Sequence, residues 1–180
     1  MNILLDNDKK IDFSLNDLPV LISGREKTGS SSFAICLLAN LLKSGHKVIL
    51  FSAHPAAKEE FRNQVGANLE NAMIIDSDDE DDFINIIKNI QDLSERVVLI
   101  KNIDSYSQKI FESVKNLKQI IFAGDLDSCQ FADDLLKKNF SSKIFFSFSE
   151  KDPMEELKSL PRYSGKIVSE KYNGVIKLEV

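Results

Sequence analysis

A short segment near the N-terminus, GREKTGSSS from Gly24 to Ser32, has residue types and spacing suited to phosphate chemistry. Its two glycines let backbone N–H groups turn inward on an anion, and hydroxyl side chains follow directly. A helix that starts here adds the positive end of its dipole. The segment therefore predicts a loop that holds phosphate groups, with these candidate ligands: Gly24, Arg25, Lys27, Thr28, Gly29, Ser30, Ser31 and Ser32.

The most informative feature of this segment is a missing lysine. The Walker A phosphate loop, G-x-x-x-x-G-K-[ST], has a lysine that reaches the β and γ phosphates and then a hydroxyl that holds magnesium. Gly24, Gly29 and Ser31 match this pattern, but Ser30 stands in the place of the lysine. The motif therefore indicates a phosphate loop that has lost one of its charged groups.

Two interpretations of the neighbouring side chains stay open. Lys27 or Arg25 could bring positive charge to the phosphates from within the loop, or both could be solvated, as long basic side chains usually are. The bulk of Lys27 also opposes a tight wrap of the loop around phosphate. The serines Ser30–Ser32 could contact a ligand, or one hydroxyl among them could simply cap the following helix.

Six short runs rich in β-branched and aromatic residues alternate with helical patterns along the chain. Nearly continuous apolar character is typical of strands covered on both faces, and the runs begin at Val20, Lys47, Ala72, Arg96, Gln119 and Lys143. Alternating strands and helices imply right-handed crossovers and a parallel sheet. We therefore predict one α/β domain over residues 1–180, with a mostly parallel central sheet and helices on both of its faces.

Two helices are predicted in more detail. The first begins near Ser30 and ends before Gly45, because glycine commonly stops a helix. The second covers Asp78–Leu93 and has one apolar face. The acidic run DSDDEDDF at its start is interpreted as helix capping rather than as a metal site. Ser77 and Glu80 have the spacing of a capping box, and acids in a first turn complement the helix dipole.

The C-terminal end has a different pattern. The segment Glu150–Tyr163 reads as a short helix bracketed by Pro153 and Pro161. After it, Asn173-Gly174 separates two strand-like runs, which is typical of a two-residue hairpin turn. An antiparallel β-hairpin is therefore predicted to close one edge of the sheet.

The segment SGREKTGSSSFAICLLANLLKSGHKVILFSAHP, from Ser23 to Pro55, resembles the RecA/KaiC-like branch of P-loop ATPases. The likeness thins through VVLIKNIDS and IIFAGDLDS, which resemble the second motif strand and the next strand of that family. The resemblance implies a three-layer P-loop fold with degenerate Walker A and Walker B motifs. It makes ATP or ADP the candidate cofactor, with Mg²⁺ only alongside nucleotide, although the residues themselves establish neither.

The resemblance also implies three charged groups that this chain lacks. In that family a loop lysine binds phosphate, an acid after the second strand activates water, and an aspartate ending a later strand orders magnesium. The matching positions here are Ser30, His54 and Lys101. Phosphoryl transfer depends almost wholly on positioning and charge stabilisation. The loss of all three partners predicts a pseudo-ATPase without catalytic residues.

No separate metal site is predicted. His54 has no cysteine or second histidine near it in the sequence, and a hydrogen-bonded loop role suits it better. Asp104, Asp125 and Asp127 follow strands at the edge where ligands bind in open α/β sheets. One of them could replace the lost aspartate, or all three could serve turns and helix caps.

Composition narrows the classes of function. The 180 residues are 43% hydrophobic, which suffices for a buried core, and the net charge of −5 opposes nonspecific binding to nucleic acid or anionic membrane. Cys36 and Cys129 are too few for a disulfide scaffold. The sequence shows neither a signal-peptide pattern nor an apolar run of about 20 residues that could span a membrane. We expect a cytoplasmic protein.

Three hypotheses for function follow. The first is a degenerate RecA/KaiC-like protein that acts by binding, as an adaptor or regulatory subunit assembled with itself or with an active P-loop relative. The second is a nucleotide-binding protein or slow ATPase with a rearranged phosphate loop. The third is a recombination-type DNA-associated factor, which the family permits and the acidic charge opposes. Nucleotide binding separates the first two, and salt-dependent DNA binding tests the third.

Overall fold

The computed structural model describes residues 2–5, 10–25, 27–66, 69–75, 79–146 and 164–179. Within these ranges the strands form one nine-stranded sheet. The helix predicted over Glu150–Tyr163 lies outside the described residues. In the described part of the chain, no helix is long and apolar enough to cross a membrane.

Strands and helices alternate along most of the chain. The strands are β1 (Asn2–Leu5), β2 (Val20–Ser23), β3 (Lys47–Ser52), β4 (Ala72–Ile75), β5 (Arg96–Lys101), β6 (Ile120–Gly124), β7 (Ser142–Phe146), β8 (Ser164–Ser169) and β9 (Asn173–Glu179). The α-helices are α1 (Ser30–Lys43), α2 (Pro55–Val65), α3 (Glu80–Asn89), α4 (Gln108–Val114) and α5 (Ala132–Lys137), with 3-10 turns at Leu15–Asp17, Leu93–Glu95 and Ile103–Ser105. The six predicted strands are β2 to β7, each starting within one residue of its predicted position.

Six strands pair in parallel, in the order β7-β2-β6-β5-β3-β4. Beyond β7, the strands β8, β9 and β1 extend the sheet with antiparallel pairing. The strand that leads into the glycine loop, β2, is therefore separated from β5 by β6. The prediction of a mostly parallel sheet with a C-terminal antiparallel hairpin is confirmed, but the hairpin does not close the edge of the sheet, because β1 pairs with β9 beyond it.

Helices cover both faces of the sheet and create two cores. The first core lies under α1 and α2, and the second lies under α3, α4 and α5. Because alternate residues of a strand point to opposite faces, β5 contributes Val97 and Leu99 to the first core and Val98 and Ile100 to the second. The next residue, Lys101, therefore lies on the α1 face.

The first predicted helix begins and ends as expected. Its N-cap residue is Gly29, in a left-handed conformation (φ 101°) that glycine adopts without steric cost. At the other end Gly45 is also left-handed (φ 91°), and its N–H donates to the carbonyl of Leu42 at 2.9 Å. The alternative that a serine hydroxyl caps this helix is wrong, because no side chain caps α1.

The second predicted helix is shorter than expected. Asp78 lies outside the described residues, and α3 covers Glu80–Asn89. Ile90 is already extended (φ −78°, ψ 114°), yet Ile90 and Leu93 still pack against the second core. The apolar spacing beyond residue 89 thus reflects burial rather than helicity, since the chain turns there to enter β5.

The predicted capping box at this helix is also wrong. Asp79 caps α3, because its Oδ1 accepts hydrogen bonds from the N–H groups two and three residues later at 2.7 and 3.3 Å. Glu80 instead binds Ser107 at the start of α4, with Oε1 accepting from the Ser107 N–H at 2.6 Å and Oε2 from its hydroxyl. A tertiary partner therefore takes the carboxylate that the box requires, and Ser77 lies outside the described residues.

The C-terminal hairpin is present, but its turn precedes the predicted one. Asn173-Gly174 already belongs to β9 and pairs with β8. The turn is centred on Glu170-Lys171. Ser169 fixes it, because its N–H donates to the carbonyl of Tyr172 at 2.8 Å and its hydroxyl accepts from the Tyr172 N–H at 2.8 Å. A side-chain contact therefore overrides the turn preference of the Asn-Gly pair.

Phe83 tests the packing of the second core. Its ring is fully buried and stacks on Phe51 with the ring centroids 4.2 Å apart. We expect Phe83→Ala to lower the free energy of unfolding by about 3–5 kcal/mol, because it leaves a cavity, and urea denaturation measures this loss. Asn85→Ala, at an exposed position of the same helix, should change it by less than about 0.5 kcal/mol. Equal effects of the two substitutions would contradict the packing.

Candidate functional site

Gly24 joins the end of β2 to the loop under tight steric constraint. Its N–H donates to the carbonyl of Gly124 at 3.1 Å, which links the loop to the end of β6. A Cβ at Gly24 would lie 2.8 Å from each of three atoms, namely Phe146 Cβ, Ser30 Cβ and Thr28 Oγ1. Two of these atoms are Cβ atoms that move only with the backbone. Only glycine therefore lets the strand, loop and helix approach this closely.

Hydroxyl groups within the loop close it. The hydroxyl of Thr28 donates to the carbonyl of Arg25 at 2.8 Å, and that of Ser30 donates to the carbonyl of Gly24 at 3.2 Å. Ser30, at the position where the resemblance implies a lysine, is buried. Its side chain therefore serves the shape of the loop.

The two basic residues of the loop are exposed, and they differ in their partners. Arg25 Nη2 lies 3.3 Å from Asp127 Oδ2, so its charge is already paired. Lys27 has a left-handed backbone (φ 66°), which is uncommon for a residue other than glycine. Of the two, Lys27 is the stronger candidate for bringing charge to a phosphate, since Arg25 would have to leave its carboxylate.

A chain of hydrogen bonds connects the ends of β3 and β5. Lys101 is only 5% exposed, and its Nζ donates to Asn102 Oδ1 at 3.1 Å. The same oxygen accepts a hydrogen bond from the hydroxyl of Ser52 at 2.8 Å, and the Ser52 oxygen accepts from the N–H of His54 at 3.2 Å. These contacts hold the Lys101 side chain in place at the carboxyl-terminal end of β5.

A cavity of about 540 Å³ brings the loop and the strand ends together. Its volume is in the range of small-molecule sites. The three positions that the resemblance singles out, Ser30, His54 and Lys101, all line it. The other lining residues come from the loop, α1, α2, the turn after β5 and the end of β6: Gly24, Arg25, Lys27, Ser31, Ala56, Ala57, Glu60, Asn102, Asp104, Ala123, Gly124 and Asp125.

The eight predicted ligands divide into two groups. Five of them line the cavity, namely Gly24, Arg25, Lys27, Ser30 and Ser31. The other three do not line it: Thr28 and Gly29 shape the loop, and Ser32 belongs to the first turn of α1. The loop thus presents its backbone, two cations and two hydroxyl groups to the cavity.

Three carboxylates also line the cavity, on Glu60, Asp104 and Asp125. Asp104 Oδ1 accepts a hydrogen bond from the N–H of Asp125 at 3.0 Å, and Asp125 Oδ1 accepts from the N–H of Asp127 at 3.0 Å. These bonds give the aspartates the turn role that was one of the two alternatives. Among the described residues, no group of three or more His, Cys, Asp or Glu side chains could hold a metal ion.

Cys129 lies close to these aspartates but offers no nucleophile. Burial raises the pKa of its thiol to about 11, and the charges of Asp104 and Asp125 contribute in the same direction. The thiol therefore stays protonated at neutral pH.

Sequence reasoning missed three residues of the cavity and its surroundings: Ser52, Glu60 and Asn102. Ser52 ends an apolar strand and Asn102 directly follows another, and polar residues at those points are a usable signal for the ligand edge of an open α/β sheet. Glu60 lies four residues after Ala56 on α2, so the two share a helix face. Nothing in the sequence indicates that this face borders the loop.

No protein-family model matches the chain, and no curated protein matches it either. Solved structures are similar in fold. The pCW3 conjugation coupling protein TcpA, in its monomer form with ATPγS, aligns with a TM-score of 0.66 and 14% identity over 97% of this chain and 64% of that chain. This chain thus spans less than two thirds of TcpA.

Two further structures show the same likeness. The genome packaging NTPase B204 from Sulfolobus turreted icosahedral virus 2, in complex with AMPPCP, aligns with a TM-score of 0.60 and 14% identity over 93% of this chain and 100% of that chain. The flagellar accessory protein FlaH from Methanocaldococcus jannaschii aligns with a TM-score of 0.50 and 15% identity over 86% of this chain and 78% of that chain. The chain therefore has a RecA-like P-loop fold. Identity this low extends the likeness to the fold alone.

Gly24→Ala tests the close approach of strand, loop and helix. The added methyl group would contact Phe146 and Ser30 too closely, so we expect the free energy of unfolding to fall by about 1–3 kcal/mol. Urea denaturation followed by circular dichroism measures the change. Ser31→Ala, at an exposed position of the adjoining helix turn, is the matched control and should leave the midpoint unchanged. An unaltered midpoint for Gly24→Ala would show that the loop has more room than the structure gives it.

Proposed function

We propose that this chain is a catalytically degenerate P-loop protein that acts as a binding, adaptor or regulatory subunit rather than as a hydrolase. The proposal joins the first hypothesis to one part of the second, the binding of ATP or ADP. The observation that carries the proposal is the position of Lys101. This buried lysine ends β5 and lines the cavity at the place where a phosphoryl-transfer site of this fold holds magnesium through an aspartate. An ammonium group cannot coordinate that ion.

The conformation of the described loop residues supports the proposal that they bind phosphate. Lys27 and Gly29 are both left-handed, and turns of this kind direct successive N–H groups into a concave anion site. The N-terminus of α1 follows immediately and adds its dipole. The backbone of Gly24, Arg25 and residues 27–31 would hold the phosphates, and glycine at position 24 lets the loop lie close to β2 and α1.

Magnesium fits this site poorly. Ser31 offers a hydroxyl at the position that holds the ion in active relatives, but Lys101 occupies the position of the second ligand. The nearby aspartates Asp104 and Asp125 each have one carboxylate oxygen bonded to the backbone of the turn after β6. His54, at the position of the water-activating acid, is a neutral or cationic group rather than a carboxylate.

A second candidate function is a slow ATPase with a rearranged site. Glu60 and Lys27 both line the cavity, so they could supply a carboxylate for water and a cation for phosphate. The pseudo-ATPase proposal is preferred because neither residue replaces a metal ligand at the end of β5.

We further propose that a protein partner responds to the bound nucleotide. A protein that binds a nucleotide without hydrolysing it can act through the conformation that binding stabilises, and a second protein can respond to that conformation. The partner would be another copy of this chain or an active P-loop relative. Strand β4 supports this proposal, because among the described strands it ends the parallel side of the sheet and leaves one edge open to pairing.

Steady-state phosphate release tests the absence of hydrolysis. We expect no turnover above the buffer background with ATP and Mg²⁺ at high protein concentration, because Ser30, His54 and Lys101 replace the three charged groups. A robust rate that Lys27→Ala or Glu60→Gln abolishes would instead establish the rearranged ATPase. Asn85→Ala, at an exposed position of α3, is the matched control and should not change any rate. A rate that Lys27→Ala and Glu60→Gln also leave unchanged would come from a contaminating hydrolase.

Restoring the loop lysine tests the phosphate-binding shape of the backbone. In Ser30→Lys a charge-assisted contact of about 1.5–3 kcal/mol should tighten ATP or ADP binding by about 10- to 150-fold, as measured by calorimetry. Ser32→Lys adds the same charge two residues further along, where the side chain does not line the cavity, and should have little effect. A folded Ser30→Lys that binds no nucleotide would show that the loop lacks a phosphate-binding shape.

A further inference from the structure

Lys101 lies on the same side of the sheet as the phosphate loop. In the register of the sheet it is opposite Ala123 of β6, and Ala123 is opposite Ile22 of β2. Neighbouring strands are about 4.8 Å apart, so the backbone of Lys101 is about 10 Å from the end of β2. Its side chain is on the α1 face, and it lines the cavity together with Gly24 and Ser31.

The residues around Lys101 hold its side chain in place at the carboxyl-terminal end of β5. Its ammonium donates to Asn102 Oδ1, and the hydroxyl of Ser52 donates to the same oxygen. The backbone of Asn102 is left-handed (φ 65°, ψ 50°), a conformation that asparagine tolerates better than most residues. An amide and a hydroxyl group thus position the ammonium beside the cavity.

A cation at this position can do electrostatically what magnesium does in an active site. The ion normally neutralises the charge that accumulates on the β and γ phosphates. A lysine ammonium is a compact point charge with three donors and binds phosphate oxygens directly. Because Lys101 is buried, its attraction to a phosphate exceeds the same interaction in bulk solvent.

We propose that Lys101 is a built-in replacement for the divalent cation, so that this site binds nucleoside di- or triphosphates without magnesium. The inference rests on the proposed function and adds to it the form of the ligand, which is the metal-free nucleotide. Free Mg²⁺ complexes ATP and lowers its charge, and the complexed ion competes with Lys101 for the same oxygens. Magnesium should therefore weaken binding, the reverse of its effect on an ordinary P-loop ATPase.

Calorimetric titration with ATP and with ADP, in EDTA and in excess Mg²⁺, tests this inference on the full chain. We expect the wild-type protein to bind more tightly in EDTA than in Mg²⁺. Lys101→Met should weaken binding in EDTA by about 10- to 100-fold, since it removes a charged hydrogen bond and keeps a side chain of similar length. Lys58→Met is the matched control, because Lys58 is equally buried, at 5% exposure, and does not line the cavity.

The possible results test the role of Lys101 separately from nucleotide binding itself. Wild-type binding that requires Mg²⁺, or affinity in EDTA that Lys101→Met leaves unchanged, would overturn the role of Lys101 and leave nucleotide binding intact. Binding strengthened by Mg²⁺ and lost in Asp104→Asn would also overturn it, by locating a metal ligand elsewhere in the cavity. Failure of the wild-type protein to bind ATP, ADP or pyrophosphate under either condition would overturn the proposed function as well. If Lys101→Met does not melt cooperatively, the magnesium dependence of the wild-type protein decides alone.

Discussion

The candidate site depends on the parallel register of β2, β6 and β5. Ser23 pairs with Gly124, and Lys101 pairs with Ala123, so the three strands end at one edge of the sheet. The hydrogen bond from the Gly24 N–H to the Gly124 carbonyl continues this pairing into the loop. Because parallel strands are joined by crossovers, their carboxyl ends collect residues that are far apart in sequence. The loop and the buried lysine share one cavity for this reason.

Burial of apolar side chains stabilises these strands independently of the charged residues that line the cavity at their carboxyl ends. The strands β2, β3, β5 and β6 are buried over most of their length, and helices cover both of their faces. Two polar residues of the cavity have local partners. The hydroxyl of Ser30 donates to the carbonyl of Gly24, and the ammonium of Lys101 donates to the side-chain oxygen of Asn102. Substitution at such positions changes the chemistry of the cavity without exposing an unpaired group in the core. The fold therefore does not depend on which polar groups line the cavity.

Several features of the structure follow directly from local sequence patterns, and others do not. Glycine at positions 29 and 45 bounds α1 as predicted, because the left-handed conformation is a property of a single residue. The cap at the start of α3 differs from the prediction, since Glu80 binds Ser107 at the start of another helix. The helix also ends earlier than predicted, because the chain is already extended at Ile90 on its way into β5. The hairpin turn lies before Asn173-Gly174 rather than at it, because Ser169 forms hydrogen bonds with Tyr172 across the turn. The cap and the turn therefore depend on side-chain contacts that the local pattern does not include.

The sequence by itself determined the order of the strands from β2 to β7, the position of the glycine loop and the residue types at positions 30, 54 and 101. These properties depend on apolar periodicity, on glycine and on residue type, which are local. Only the tertiary structure decided that Glu60 borders the loop, that Asp127 pairs with Arg25 and that Asn102 positions Lys101. Such contacts depend on strand register and on which helix face meets the cavity, and both are set by packing across the whole sheet.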